Sequence, residues 1–386
     1  MAHALRSARW ATNGHFFVNG LSFASWGVNV PAFMSRHQLS EGSVSIAMLA
    51  AGIGALLGVL RAGTLIGRIG ARATCAGAGL LTVTSLGLIL WVPSYESGVA
   101  VLFVFGLANS IYDVAMNAHA VEVESAYQRP IMSSCHGFFS VGGLVGAFAG
   151  SLLATAGVLP ATHMLMVAIC GVALALSAIP FMLPDPVQTA AQARESGGGL
   201  SHLRGVVLLL GLMAAFGLIG EGAMYDWSVL HMRESLGSSQ PVAALAYAAF
   251  SVTMALGRFG GDYIRARLGA ADLLRWSGLL AAISLLLAVA STHAMVALMG
   301  FALVGLGVAN MVPVLFSCAS RVPGISAAHG IAGVASIGYL GFLAGPPFIG
   351  MLAQQTSLPL ALGVLSLFFA AQTVLARRAT SFDHPN

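Results

Sequence analysis

Lysine is missing from this chain: all 17 of its basic side chains are arginine. A phosphate-binding loop that needs a lysine therefore cannot be built here, which excludes ATP-driven work by this chain alone. Charge of either sign is also scarce. Charged residues make up 8% of the sequence, against roughly 25% in soluble domains. A water-soluble protein of 386 residues could not cover its surface with so few charges, so the bilayer is the solvent for most of it. The net charge of +4 does not indicate nucleic-acid binding, because the arginines are scattered one to three at a time rather than clustered on one face. The four cysteines (Cys75, Cys135, Cys170, Cys318) lie in or beside apolar runs and form no CxxC. They read as buried free thiols, with no disulfide framework and no metal site. Neither HExxH nor GxSxG occurs, and no loop has room for a catalytic domain. An enzyme is not expected, nor is a cofactor.

What the sequence has in abundance is apolar length. A spanning helix needs about 20 mostly apolar residues. Such runs fall at 10–33, 43–62, 73–92, 98–121, 130–155, 160–183, 204–230, 241–261, 272–292, 294–317, 326–352 and 357–376. The first run is too long for a cleavable signal and reads as a retained helix. The 47 glycines suit helices packed closely in lipid. With the N-terminus inside, only Arg36 and Arg233 fall in outer loops, which is a strong positive-inside bias. An even number of spans then puts both termini in the cytoplasm. Pro184–His202 is rich in Pro, Gly and polar residues and reads as a flexible linker. The expected architecture is all-α and membrane-embedded, with about twelve spans. Residues 1–183 form one six-helix bundle, 184–203 a cytoplasmic linker, and 204–386 a second bundle.

The halves repeat one another. Ser25-Trp26 corresponds to Asp226-Trp227, Arg61–Gly63 to Arg258–Gly260, Arg68-Ile69-Gly70 to Arg267-Leu268-Gly269, and Pro130 with His136-Gly137 to Pro323 with His329-Gly330. Four matches in the same order predict two pseudo-symmetric bundles, the arrangement of transporters that rock one half against the other around a central site.

These residues also carry a family resemblance. The loop from Gly63 to Arg72 reads GTLIGRIGAR and is similar to the signature G-x-L-x-D-R-x-G-R-[RK] of the major facilitator superfamily. Gly63, Leu65, Arg68, Gly70 and Arg72 match; Gly67 stands where the signature has an acid, and Ala71 where it has a base. In the second half, GRFGGDYIRARLG keeps an acid, Asp262, with Arg267 and Gly269. The resemblance extends over essentially the whole chain. It implies the major facilitator fold and an inner-face gate formed by Arg68, Arg72, Asp262, Arg267 and His329. The run Asp113–Glu124, DVAMNAHAVEVE, followed by Arg129–Gly143, RPIMSSCHGFFSVGG, resembles the bacterial branch that holds fucose-permease and rhizopine-transporter-like members. The antiporter Gly-Pro of the fifth span is absent, which leans toward uptake.

Ionisable groups inside a bilayer cost about 2.5–3.5 kcal/mol on insertion scales, and such residues are functional candidates by default. Asp113 lies near the middle of the fourth span, with Asn109 and Asn117 one turn to either side, so the three form one polar stripe. A stripe of this kind must face a cavity or a partner helix. Because a carboxyl taken out of water holds its proton closer to neutrality, Asp113 suits proton acceptance, solute hydroxyl binding, or both. A structural Asp that locks helix packing is the plainer alternative. Glu221 and Asp226 in the seventh span are candidates for proton coupling too, but they point about 140° apart on an ideal helix. His136 is either a proton relay or a packing residue. Asn19, Trp26 and Asn29 in the first span, with Trp227 and Asn310 in the second half, suit a pocket that stacks an apolar ring and binds hydroxyls.

The function expected is alternating-access transport, coupled to protons, of a small polar solute such as a sugar or polyol. Proton-coupled export of amphipathic compounds is the runner-up. A non-transporting receptor or scaffold is the different-class alternative, and it would not need a polar stripe at mid-membrane. The expected partners are the solute, protons and the lipid bilayer; a monomer suffices. The Lys-free, Ala/Gly/Arg-rich composition suggests a GC-rich bacterial source and its inner membrane.

Overall fold

A computed structural model of the chain describes residues 2–39, 41–185 and 205–382. The expected linker lies almost wholly outside the described residues. Long apolar runs satisfy their backbone groups internally only as helices, and no strand occurs among the described residues. The helices are α1 (Ala2–His37), α2 (Glu41–Ile69), α3 (Ala71–Leu88), α4 (Tyr95–Tyr127), α5 (Met132–Thr155), α6 (Pro160–Ala178), α7 (Val206–Leu230), α8 (Gln240–Ala290), α9 (Ala294–Val308), α10 (Met311–Ala319), α11 (Ala327–Gln355) and α12 (Leu358–Ala379).

Helix number and span number differ at two places. Helix α8 carries two spans, divided by Gly269 at φ 77°, while α9 and α10 are the halves of one span broken at Ala309-Asn310. The chain thus makes about twelve crossings. Nine stretches among the described residues are long and apolar enough to cross a membrane, one of them the double-length α8. Helices α1 and α3 are outside that set. In α1 the reason is visible: Asn13, His15, Asn19 and Asn29 lower its hydropathy, and all four are buried.

The repeat seen in the sequence has a geometric counterpart. Gly70, between α2 and α3, and Gly269, within α8, are matched positions, and both have left-handed backbones (φ 87° and 77°). Each lets the chain leave one span and enter the next through a single residue, a conformation open to glycine at no steric cost. The fifth span holds close crossings of a different kind. A Cβ on Gly142 would strike the Phe17 carbonyl, and one on Gly20 would strike the Phe139 carbonyl, so α1 and α5 meet backbone to backbone. Both prolines of α11, Pro346 and Pro347, lie inside a helix that continues through them.

The described chain divides into two compact units. Unit 1 comprises Met1–Gln128 and Phe138–Gly199; unit 2 comprises Arg129–Gly137 and Leu200–Asn386. In unit 1, α4 packs on α2, α3 and α1, and α6 on α1 and α3. In unit 2, α7 packs on α11, α12 and α10, and α8 on α9 and α12. The outer faces are apolar: Val374 is 79% exposed and Phe148 70%. Such a surface needs hydrocarbon around it.

Candidate functional site

In unit 1 the polar residues gather along the seam of α1 and α4. The Tyr112 hydroxyl lies 2.8 Å from His15 Nδ1 and 3.1 Å from the His15 carbonyl. Asn19 Nδ2 approaches the Met116 sulfur at 3.8 Å. Met116 shares a face of α4 with Asn109, two turns away. Asp113 and Asn117 lie on the same side, both buried. The Asn117 amide donates to the Asp113 carbonyl at 2.9 Å and reaches its carboxylate at 3.4 Å. The expected stripe therefore exists and faces protein rather than lipid. Three amide oxygens in this unit (those of Asn13, Asn19 and Asn109) are buried without a hydrogen-bond partner. Buried polar atoms are normally paired, and these three depart from that rule.

The remaining α1 candidates are placed differently. Trp26 packs edge-to-face on Phe33, 5.8 Å between centroids, inside the apolar cluster of unit 1 that includes Leu86, Phe105 and Met164. Asn29 Nδ2 donates to the Ser25 carbonyl at 2.7 Å and lies 3.0 Å from His163 Nδ1, which ties α1 to α6.

In unit 2, Glu221 pairs with Arg258 at 3.2 Å, and the Arg258 Nε donates to the Ala309 carbonyl at 3.3 Å. Both side chains are largely buried. Asn310, at the break of the tenth span, donates from Nδ2 to the Gly257 carbonyl at 3.0 Å, and its Oδ1 has no partner. Asp226 is exposed, in the C-terminal part of α7. Its neighbour Trp227 lies against Gly350 and leaves its indole N–H unpartnered. Glu221 and Asp226 are thus in different surroundings, as their spacing requires. Beyond them α7 ends in a π-helical turn, His231–Ser235.

The gating candidates are found at helix starts and beside the turns at Gly70 and Gly269. The Asp262 carboxylate accepts from Ser133 N at 2.8 Å and Ser134 N at 2.9 Å, and so caps the first turn of α5 within unit 2. His136, one turn on, faces Phe316 at 6.0 Å and is buried. His329 lies in the first turn of α11, where Ser326 Oγ accepts from His329 N and lies 2.7 Å from its Nδ1. Arg267 stacks over Tyr263 at 4.2 Å, and Arg68 is exposed. Arg72 takes part through its backbone: Arg72 N and Ala73 N donate to the two Asp185 oxygens at 2.7 and 3.1 Å.

Several of these groups were not visible in the sequence. Arg258 reads as an inner-end charge at the foot of the eighth span, yet the structure buries it on Glu221. His15, Tyr112 and His119 lie in apolar runs and were passed over. His119 Nε2 accepts from Leu183 N at 3.0 Å while its Nδ1 lies 2.9 Å from the Thr12 hydroxyl. The Thr12 hydroxyl itself donates to the Ala8 carbonyl, so the His119 proton sits on Nδ1 and points at Thr12. One signal was available: the offset that relates His136 to His329 also relates Asn117 to Asn310. No group of three or more potential metal ligands occurs among the described residues.

Two units of close-packed spans, a broken helix at membrane depth and buried charges facing protein define a polytopic solute transporter. The profile of the Major Facilitator Superfamily matches residues 15–337, and the chain belongs to that family of transporters. It is 35% identical over 374 residues to an uncharacterized transporter of the same type from Yersinia pestis, covering 97% of this chain and 96% of the relative. It is 31% identical over 368 residues to the membrane protein MosC of Rhizobium meliloti, covering 95% and 88%. Among solved structures, FucP in the outward conformation matches with a TM-score of 0.80 at 17% identity, over 96% of this chain and 98% of FucP. The proton:xylose symporter XylE matches with a TM-score of 0.71 at 14% identity, over 98% and 96%. At those identities the structural matches establish the fold. The likeness to FucP and MosC agrees with the branch that the sequence resembled, and the family's members are not enzymes.

Proposed function

We propose that this chain is a proton-coupled symporter of a small polar solute, such as a sugar or polyol, working by alternating access in a bacterial inner membrane with both termini in the cytoplasm. The observation that carries this reading is the set of unpartnered amide oxygens at Asn13, Asn19 and Asn109, together with the buried Asp113 on the same face of α4 as Asn109. Hydroxyls donate well to amide oxygens, and Asp113 is the ionisable group on the same helix face as Asn109. In this reading Asp113 carries the proton, while Asn19, Asn109 and Asn117 of unit 1 bind the solute. Trp26 and Asn29 hold α1 in place for it. Two relatives of the fold are described as proton symporters of fucose and xylose, which accords with a hydroxyl-rich cargo. In unit 2, Asp262, Arg267 and His329 act in gating.

The test is uptake into proteoliposomes of sugars, polyols and small organic acids, with and without an inward proton gradient, with lumenal pH followed by a dye. Uptake should acidify the lumen. Asp113→Asn should abolish uphill uptake while sparing solute exchange. Flux indifferent to the gradient would make the chain a facilitator. Proton release on adding amphipathic cations, with no flux of polar solutes, would turn the reading to export.

A further inference from the structure

The break in the tenth span has a cause in the sequence. In a continuous helix the Ala309 carbonyl would accept from the N–H of residue 313, four positions on. Residue 313 is proline and has no N–H. The carbonyl is freed at membrane depth, where no bulk water can satisfy it. Helix α9 ends at Val308 and α10 begins at Met311, with Asn310 at φ −105°, ψ 0° between them. Arg258 supplies the missing donor, its Nε 3.3 Å from that carbonyl. A guanidinium so placed, 4% exposed, needs a counter-charge, and Glu221 provides it with both carboxylate oxygens, at 3.2 and 3.3 Å from one guanidinium nitrogen. One arginine thus links three spans: the carboxylate of α7, its own helix α8, and the broken backbone between α9 and α10.

We infer that Arg258 is a positioning residue that holds the break of the tenth span in one shape, with Glu221 fixing the orientation of its guanidinium. This rests on the transport reading for its purpose, because a break that can be held or released is an element a transport cycle can use. The ion pair with Glu221 fixes the Arg258 fork in the plane that reaches Ala309.

The experiment is hydrogen exchange of the peptide covering residues 305–316, read by mass spectrometry on the full chain in nanodiscs without solute. Arg258→Met should raise exchange at the break by about tenfold, the effect of losing roughly one hydrogen bond. Pro313→Ala restores the N–H, so Pro313→Ala with Arg258→Met should exchange as the wild type does. Glu221→Gln, which removes the charge that anchors the fork, should also exchange faster than wild type. Should Arg258→Met fail to fold, Arg258→Lys, which keeps the charge but loses the fork, is read instead and should show the same rise. Flat exchange in the arginine variants, or no rescue by Pro313→Ala, overturns the positioning role. Exchange in Glu221→Gln equal to wild type overturns the part given to Glu221 in holding the fork. Because no solute is present, a positive result alongside absent proton-coupled flux would remove the symport reading and leave this one standing. The reverse pattern would do the opposite.

Discussion

Among single side chains, the strongest statements concern atoms that lack partners. The Asn109 oxygen is buried and unpaired, so the folded protein loses no internal hydrogen bond when that oxygen is removed. A solute that donates a hydroxyl to it loses one. A hydrogen bond between neutral groups contributes about 0.5–1.5 kcal/mol, so Asn109→Ala should raise the apparent KM for uptake by about three- to tenfold, with kcat little altered and the melting temperature within a degree or two of wild type. Steady-state uptake kinetics and a thermal melt in detergent would decide it. A KM equal to wild type would remove Asn109 from the solute site. An equal fall in melting temperature and transport would make it a packing residue. The contrast with Asn29 is instructive. Its amide is already committed to Ser25 and His163, and its replacement should appear first as lost stability. From sequence alone the two asparagines look alike; only the partners separate them.

For the helices, hydropathy and small-residue spacing made most of the fold legible, because the bilayer leaves a chain few ways to satisfy its backbone. The spans, the two-half repeat, and the matched turns at Gly70 and Gly269 all follow from local residues. Long-range partners were not legible. Pro313 stands in plain sight, yet nothing nearby shows that Arg258, 55 positions earlier, would take the carbonyl it frees. Likewise Asp185 follows the sixth span but caps the start of α3. The polar stripe on α4 was legible in its position and in the need for protein neighbours, since a helix face is set by spacing, whereas the contact of Asn19 with Met116 depends on how α1 crosses α4. That crossing style can be tested on α5. A Cβ at Gly142 would meet the Phe17 carbonyl, a backbone atom that cannot rotate away. Gly142→Val should therefore push α1 and α5 apart and lower the melting temperature by several degrees, as overpacking by about 1–3 kcal/mol would. Gly77→Val, where a Cβ meets nothing within 4 Å, is the control and should be nearly silent. Equal behaviour of the two would mean that α1 and α5 do not approach as described.

For the molecule as a whole, α5 raises the sharpest question. Its first residues, through Gly137, group with unit 2, while from Phe138 onward it belongs to unit 1. What fastens the start of α5 is Asp262, whose two oxygens accept from Ser133 N and Ser134 N. A carboxylate at a helix start satisfies amides that have no partner within the helix and also meets the positive end of the helix dipole. Bonds to a charged acceptor contribute about 1.5–3 kcal/mol each. Asp262→Ala should therefore raise exchange at residues 133–136 by at least about tenfold and lower the steady-state solute accumulation reached under a proton gradient. Asp262→Asn keeps one good acceptor and should fall between the two. Exchange mass spectrometry on the peptide that begins at Arg129, run beside accumulation assays in the same proteoliposomes, measures both. Unchanged exchange in Asp262→Ala would mean that other contacts hold the start of α5, among them the Phe259 ring against Gly137 and Phe316 against His136. Faster exchange with full accumulation would leave Asp262 as a helix cap with no part in the gate.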